Sequence, residues 1–328
     1  MAIIRPARSS DGDAIWRIFT EVVAAGDSYV FAAETPRRDA EEYFLGRGIP
    51  TFVCEVDGQV AGFYKLIPNL RDRGAHVANA SFMVDPALSG HGIGRALGDH
   101  CLREARRRGY EAMQFNFVVS TNTRAVALWQ TLGFAIVATL PRVFRHASLG
   151  EVDAYVMFRS LLDLPAGDTP TFGRAADGAS PTRRPSAYAL VENDSGLVAI
   201  VTTTEGVFLP GGGIDPGEWA ELAAVRETRE ECAIDVRTTW LIGRATDVVF
   251  SKKDGAWLEK TSMFLAAELI GPVAATPEHA VRWLPLDEAA RAVTRDGHAW
   301  AIRQWQTHEE GRVGPAYAAK GRSGEVSP

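Results

Sequence analysis

The sequence predicts two domains, the first alternating β and α around one sheet and the second of the α+β class. Three observations carry this. A chain of 328 residues with 46% hydrophobic content supplies two cores of ordinary size. The stretch 163–185, DLPAGDTPTFGRAADGASPTRRP, is rich in Pro, Gly, Asp and Thr and has neither helical nor strand period, so it reads as a linker. Strand and helix signals alternate before it and are less regularly interleaved after it. The domains are therefore placed at 1–162 and 186–309. The stretch 310–328, poor in apolar periodicity, reads as a loosely ordered tail.

In the first domain, Phe52 to Val56 and Gln59 to Leu66 flank Asp57-Gly58, a dipeptide suited to a tight hairpin turn. A strand at Ala78 to Val84 runs into Asp85-Pro86 and a glycine-rich loop. Ile93, Ala96, Leu97, Cys101 and Ala105 then recur at helical spacing. Another strand, Ala112 to Val119, precedes a helix from about Asn122 to Leu132 that Gly133 closes. In the second domain, Ala187 to Val191 and Leu197 to Thr202 read as strands, Pro210 to Gly213 as a turn, and Trp219 to Cys232 as a helix. Strands follow at Thr239 to Ile242 and Thr261 to Leu269, then helices at Leu286 to Val293 and His298 to Gln306.

A formal net charge of -6 argues against wholesale attraction to nucleic acid or anionic membranes, so neither is an expected partner. Cys54, Cys101 and Cys232 are too few and too scattered for a disulfide framework or a CxxC metal site. The opening MAIIRPARSS breaks at Arg5, Pro6 and Arg8 before any apolar signal region forms, and later apolar runs are too short to span a bilayer. The expectation is a cytoplasmic protein acting on small molecules, of undetermined oligomeric state.

Ser89-Gly90-His91-Gly92-Ile93-Gly94 sits where a strand ends and a helix begins. Glycines allow close backbone approach to an anion, and the free N–H groups and dipole of a helix start favour phosphate there. Alone, such a loop reads more readily as a tight turn that needs glycine for steric reasons. Downstream stands Asn122-Thr123-Arg124-Ala125, continuing to Leu128-Trp129 and Gly133-Phe134. The two motifs in this order resemble the GNAT acetyltransferases over roughly residues 1–160. The resemblance implies a mixed, mostly antiparallel sheet with helices on both faces, and acetyl-CoA as cofactor. It implies that backbone groups of Phe82, Met83 and Val84 hold the pantetheine arm. Gly90, His91, Gly92, Ile93, Gly94 and Arg95 would cradle the pyrophosphate, and Asn122 would bond the pantetheine. Ser89 replaces the usual Arg or Gln, which removes one side-chain contact and spares the backbone cradle. Trp129 replaces the tyrosine that often protonates the departing thiolate; an indole N–H is too weak an acid for that. Asn79 and Asn116, on the strands beside the expected acetyl group, are the candidates to position substrate or polarise the carbonyl. Both equally suit capping of strand-end backbone groups. With Asn122 and the run FNFVVSTN they also resemble acetyltransferases acting on proline analogues such as azetidine-2-carboxylate. That makes a small amino acid or cyclic secondary amine the expected acceptor, with Tyr29 and Phe31 as pocket walls.

The second domain carries Gly212, Glu218, Arg226, Glu227, Glu230 and Glu231, spaced as G-x5-E-x7-R-E-U-x-E-E-x-G-U over 212–234. Glu227, Glu230 and Glu231 fall at i, i+3 and i+4, so one helical face carries three carboxylates. Arg226 relieves part of their repulsion; a divalent cation with oxygen ligands relieves more. The spacing is similar to the Nudix box over residues 186–305, which implies an α/β/α sandwich and a Mg²⁺- or Mn²⁺-dependent hydrolase. By that resemblance Glu230 and Glu231 are metal ligands, Glu227 is a ligand or the general base, and the Gly211 carbonyl completes the coordination. Arg226 would orient the glutamates and Glu218 brace the loop. Ala233 stands where glycine is usual and Thr228 where a bulky aliphatic is usual. An alanine in a left-handed cap costs about 1 kcal/mol. Glu259 and Glu278 are candidates for a base or ligand outside the box, and equally suit exposed surface acids. The whole chain therefore reads as a bifunctional enzyme, N-acetylating a small amine and hydrolysing a nucleoside diphosphate derivative. The alternative makes one domain a silent acyl-CoA or nucleotide sensor regulating the other.

Overall fold

The computed structural model describes residues 2–252 and 254–312. The first sheet is built from β1 (Ala2–Pro6), then after α1 (Gly12–Ala24) and α2 (Arg37–Leu45) from β2 (Thr51–Val56), β3 (Gln59–Pro68) and β4 (Val77–Val84). After α3 (Ile93–Arg107) come β5 (Ala112–Val119), α4 (Thr123–Thr131), β6 (Ala135–His146) and β7 (Gly150–Ser160). Its strand order is β1-β2-β3-β4-β5-β7-β6. β4 and β5 run parallel while the other neighbours run antiparallel, the mixed sheet expected.

Strand alternation sends successive side chains to opposite faces. Val53, Phe63 and Met83 pack against Ile15, Ile18, Phe19 and Phe44 of α1 and α2. Phe52, Cys54 and Tyr64 pack with Leu97 and Cys101 of α3 on the other face. Helices thus cover both sides.

Between Ser160 and the second core lie β8 (Thr171–Phe172) and β9 (Thr182–Arg183), inside the stretch read as linker, where they pair in parallel with strands of the second sheet. That sheet continues with β10 (Ser186–Glu192), β11 (Leu197–Thr203), β12 (Gly206–Phe208) and β13 (Gly211–Gly213). Then follow α5 (Ala220–Cys232), β14 (Ile234–Ser251), β15 (Ala256–Pro272), β16 (Ala280–Pro285), α6 (Leu286–Ala292) and α7 (Asp296–Arg312). Ala187, Ala189 and Val191 face α5, while Tyr188 and Leu190 face α6 and α7, which makes the α/β/α sandwich. Part of the expected turn, Gly211 to Gly213, is instead a short strand against Ser186 to Tyr188. α7 runs on to Arg312, so residues 310–312 are helical where a loose tail was expected; 313–328 lie outside the described residues. Among the described residues no helix is long and apolar enough to cross a membrane.

Candidate active sites

The first site arises where a parallel pair comes apart. β4 and β5 are in register only at Val77 with Ala112 and Ala78 with Met113. From Asn79 onward the facing edges have no strand partner, and backbone groups there must find other ones. A register shift between Phe115 and Val118 turns β5 further away. A groove of about 800 Å³ runs from this split over Gly90, Gly92 and the start of α3. Gly92 caps α3 with φ 77°, a left-handed conformation that glycine adopts at no steric cost. A Cβ added at Gly90 or Gly92 would meet nothing within 4 Å, so the cradle faces open space. Ile93 and Met83 are buried in the core. Arg95 donates to Thr131 Oγ1 (3.3 Å), His91 lies beside the Leu88 carbonyl (3.2 Å), and Arg124 reaches Ser89 Oγ (3.5 Å).

A smaller cleft of about 280 Å³ joins the groove, the two sharing Ser28, Tyr29, Phe82, Asn122, Ala125 and Trp129. Every residue lining the smaller cleft is uncharged, and Tyr29, Phe31, Asn79 and Asn116 are among them. The Tyr29 hydroxyl donates to the Phe82 carbonyl (2.5 Å), and burial pushes its pKa well above the usual phenol range. Asn79 and Asn116 both donate to one acceptor, Asn69 Oδ1, at 3.1 and 2.7 Å, and Gln114 donates to Asn116 Oδ1 (2.8 Å). Asn69 was not anticipated; it stands on the loop after β3, and no motif marked it. Asn122 Oδ1 accepts from Ala125 N (3.1 Å) as the cap of α4, which leaves its amide N–H groups for a ligand. Trp129 is an aromatic core residue, its ring centroid 4.8 Å from both Phe82 and Phe115.

The second site is the carboxylate face of α5. Arg226 donates to Glu227 (2.9 Å), Glu230 (3.1 Å), Glu218 (2.9 Å) and the Gly213 carbonyl (3.1 Å), so it ties the loop to the helix. Gly212 lets the strand lie against α5: a Cβ there would stand 2.7 Å from the Glu227 carboxyl. Glu231 accepts from Gly211 N (2.8 Å), and burial among Glu227, Glu278 and Glu230 pushes its pKa up to about 7. Burial raises Glu227 as well, with Arg226 opposing. Backbone bonds from Glu278 and His279 to the carbonyls of Glu230 and Glu231 hold that loop on the site, with His279 Nε2 3.6 Å from Glu231. Glu259 instead faces Arg183 (3.5 Å) near the tip of the β14–β15 hairpin. Among the described residues no group of three acidic, His or Cys side chains is placed to hold a metal ion; Arg226 bonds both Glu227 and Glu230. The donors nevertheless suit a hard divalent cation: clustered carboxylate oxygens, one of them buried and short of positive charge.

Residues 15–134 match the Acetyltransferase (GNAT) family. The L-amino acid N-acyltransferase MnaT of Escherichia coli (strain K12) is 32% identical over 146 residues, 43% of this chain and 83% of that one. The chain belongs to the GNAT acetyltransferase family. Residues 182–305 match the NUDIX domain, so a GNAT N-acetyltransferase domain and a Nudix hydrolase domain share one polypeptide. The N-acetyltransferase aca1 of Schizosaccharomyces pombe is 28% identical over 155 residues, 41% of this chain and 72% of that protein. The solved GCN5-related N-acetyltransferase from Kribbella flavida is 42% identical with a TM-score of 0.47, covering 48% of this chain and 97% of that one.

Proposed function

We propose that the GNAT domain transfers the acetyl group of acetyl-CoA to the nitrogen of a small amino acid or cyclic secondary amine, and that the Nudix domain hydrolyses a nucleoside diphosphate-linked substrate with Mg²⁺ or Mn²⁺. The observation that carries the first half is the junction of the uncharged cleft with the groove over Gly92, which would let an amine meet a thioester. Backbone groups from Gly90 to Arg95 receive the pyrophosphate, and the free edge of Phe82, Met83 and Val84 receives the pantetheine. Asn122 adds an amide N–H to the pantetheine. A cleft without carboxylates does not hold an amine in its charged form, so the nucleophile enters neutral. Asn79 and Asn116, fixed through Asn69, orient it and offer N–H donors to the developing oxyanion. The C–N bond forms as the C–S bond breaks, and the amine nitrogen gives up one proton to solvent. With Trp129 unable to act as acid, the thiolate takes its proton from solvent. The printed name of the Escherichia coli relative supports an amino acid acceptor.

In the Nudix domain Glu230 and Glu231, with Glu227 and the Gly211 carbonyl, would hold the cation, which supplies charge neutralisation for the diphosphate and an activated water. Glu227, packed against Gly212, suits the general base. Arg226 keeps the face assembled. The buried, unpaired cysteines fit a reducing cytoplasm.

A thiol-release screen over amino acids and cyclic amines with acetyl-CoA, run beside a Mg²⁺-dependent phosphate-release screen over nucleoside diphosphate derivatives, tests both halves. Glu230→Gln is expected to silence hydrolysis and spare acetyl transfer, and Gly92→Trp the reverse. Hydrolysis at the wild-type rate in Glu230→Gln would remove the carboxylates from the reaction.

A further inference from the structure

The residues lining the smaller GNAT cleft are uncharged, yet one cation stands directly behind its wall. Lys65 of β3 is 4% exposed, and its Nζ lies 3.0 Å from the centroid of the ring of Tyr43, which lines the cleft. It donates to the Tyr43 carbonyl (3.1 Å) in the last turn of α2. That bond uses one of its three N–H groups. Among the described residues no acid offsets the charge, and burial alone pulls the amine down to about 7. Holding an ammonium out of water without an acid is costly, and one carbonyl and one ring offset only part of that cost. An anion that came to the hydroxyl end of Tyr43 would offset more.

The cleft has the donors to receive one. The Tyr43 hydroxyl lies 3.2 Å from Ser81 Oγ, either able to donate, and both residues line the cleft. Lys65 and Ser81 are register partners on β3 and β4, so their side chains stand side by side on the face whose Phe63 and Met83 pack against α1 and α2. Phe31 and Phe44 meet the Tyr43 ring edge-on, with centroids at 5.0 and 4.8 Å, which fixes the direction of its hydroxyl. Two hydroxyls on fixed frames with a cation behind them suit a carboxylate. Its oxygens accept both protons, and the ammonium, shielded from water, attracts its charge at short range. Asn79 stands on the same face of β4 as Ser81, two residues or about 6.6 Å along the strand. A carboxylate at Ser81 therefore directs the α-nitrogen of an amino acid toward Asn79.

We propose that Tyr43, Ser81 and Lys65 set the specificity of the acceptor cleft: the two hydroxyls bind the carboxylate of the acceptor and Lys65, acting through Tyr43, supplies its counter-charge. An amino acid is then taken in preference to a bare amine. The proposal rests on the small-amine reading of the cleft and decides between the two acceptors which that reading allows. Lys65 does not line the cleft, so it is a positioning residue, a charge held behind the place where the carboxylate arrives.

A thiol-release assay of the intact protein with acetyl-CoA compares alanine, methionine and proline with their carboxamides and with the amines that lack the carboxyl group. The wild type is expected to prefer each acid about tenfold or more in kcat/KM. Tyr43→Phe and Ser81→Ala each remove one donor, and Lys65→Met removes the charge while keeping an unbranched side chain. Each is expected to shrink the preference through KM for the acid, with KM for acetyl-CoA unchanged because none of the three lines the groove over Gly92. The preference is a ratio measured within one variant, so any fraction that fails to fold cancels from it. Tyr43→Phe, which keeps the ring beside Lys65, carries the test if Lys65→Met does not fold. A Lys65→Met or Tyr43→Phe protein with the wild-type preference overturns the proposal, since loss of a merely structural contact moves stability and not this ratio. Carboxamides and bare amines acetylated by the wild type as well as the acids also overturn it, and leave the small-amine reading standing. Acetylation of none of these compounds removes both.

Discussion

Asn69 organises the proposed acceptor cleft although it does not line it. Its single carbonyl oxygen takes hydrogen bonds from both Asn79 and Asn116, tying β4 to β5 across the gap where their backbones have separated. Each amide has a second N–H besides the one given to Asn69. Removing the hub leaves two mobile side chains in place of one fixed pair of donors, and positioning is the larger part of what such donors contribute. Asn69→Ala is therefore expected to raise KM for the amine about tenfold while KM for acetyl-CoA stays put, because the cradle over Gly92 is untouched. Steady-state kinetics with each substrate varied in turn decides it, and an unchanged amine KM would return Asn79 and Asn116 to a structural role. Tyr29 acts in a similar way, its hydroxyl holding the Phe82 carbonyl at the junction of groove and cleft.

Among the elements, α5 shows how local chemistry and site geometry interlock. Thr228 at a normally aliphatic position is fully buried and returns its hydroxyl proton to the Ala224 carbonyl (2.7 Å), so the exchange leaves no orphaned polar group. Ala233 caps the helix at φ 55°, ψ 37°, in the left-handed region expected from its place in the box. Ala233→Gly is expected to stabilise the protein by about 0.5–1 kcal/mol, the relief of the Cβ contact outweighing the added freedom of the unfolded chain. A higher urea midpoint with unchanged hydrolysis would show it; a lower midpoint would mean that the methyl packs better than it strains. Elements whose signal is local were legible in this way: the Asp57-Gly58 hairpin, the strand into the glycine loop, α3 and α5. The long β14 and β15 were read only in part, as Thr239 to Ile242 and Thr261 to Leu269. Register shifts at Asp235/Val236, Thr238/Trp240 and Leu241/Gly243 interrupt the alternation a strand is recognised by. β6 is exposed along most of its length and offers no apolar face to read. α1 went unread although Ile15, Ile18 and Phe19 carry a helical period. In the sites, Glu227, Glu230 and Glu231 were visible because one helix turn brings them together. Asn69 and His279 were not, since only the fold carries them to their partners.

At the scale of the molecule, the helix after the glycine loop and the helix of the carboxylates meet. α3 begins at the Gly92 cradle and ends against the first turn of α5, where buried Arg108 bonds Glu104 (2.9 Å) and Glu221. Arg107 takes the other oxygen of Glu104 (2.9 Å) and reaches the Leu241 carbonyl (3.3 Å). Around this core the Trp219 indole donates to the Gly48 carbonyl (3.1 Å), Arg47 pairs with Asp235 (2.8 Å), and Arg237 pairs with Glu268 (2.5 Å) while bonding Ser9 (3.3 Å). Burial opposes the charge on Arg108, and the two glutamates more than restore it, holding its pKa above the ordinary guanidinium range. A buried pair is costly to break from one side, about 3–5 kcal/mol, because the survivor stays charged and dry. Glu221→Met and Arg108→Met should thus each destabilise strongly, and the double variant by less than the sum of the two, with a coupling of about 1–3 kcal/mol. Since the lost contact belongs to both domains, urea unfolding followed by tryptophan emission and by each activity should shift together. Additive single costs, or GNAT activity that survives past the midpoint at which the Nudix domain unfolds, would mean that the ion cluster joins the domains without making them one cooperative unit.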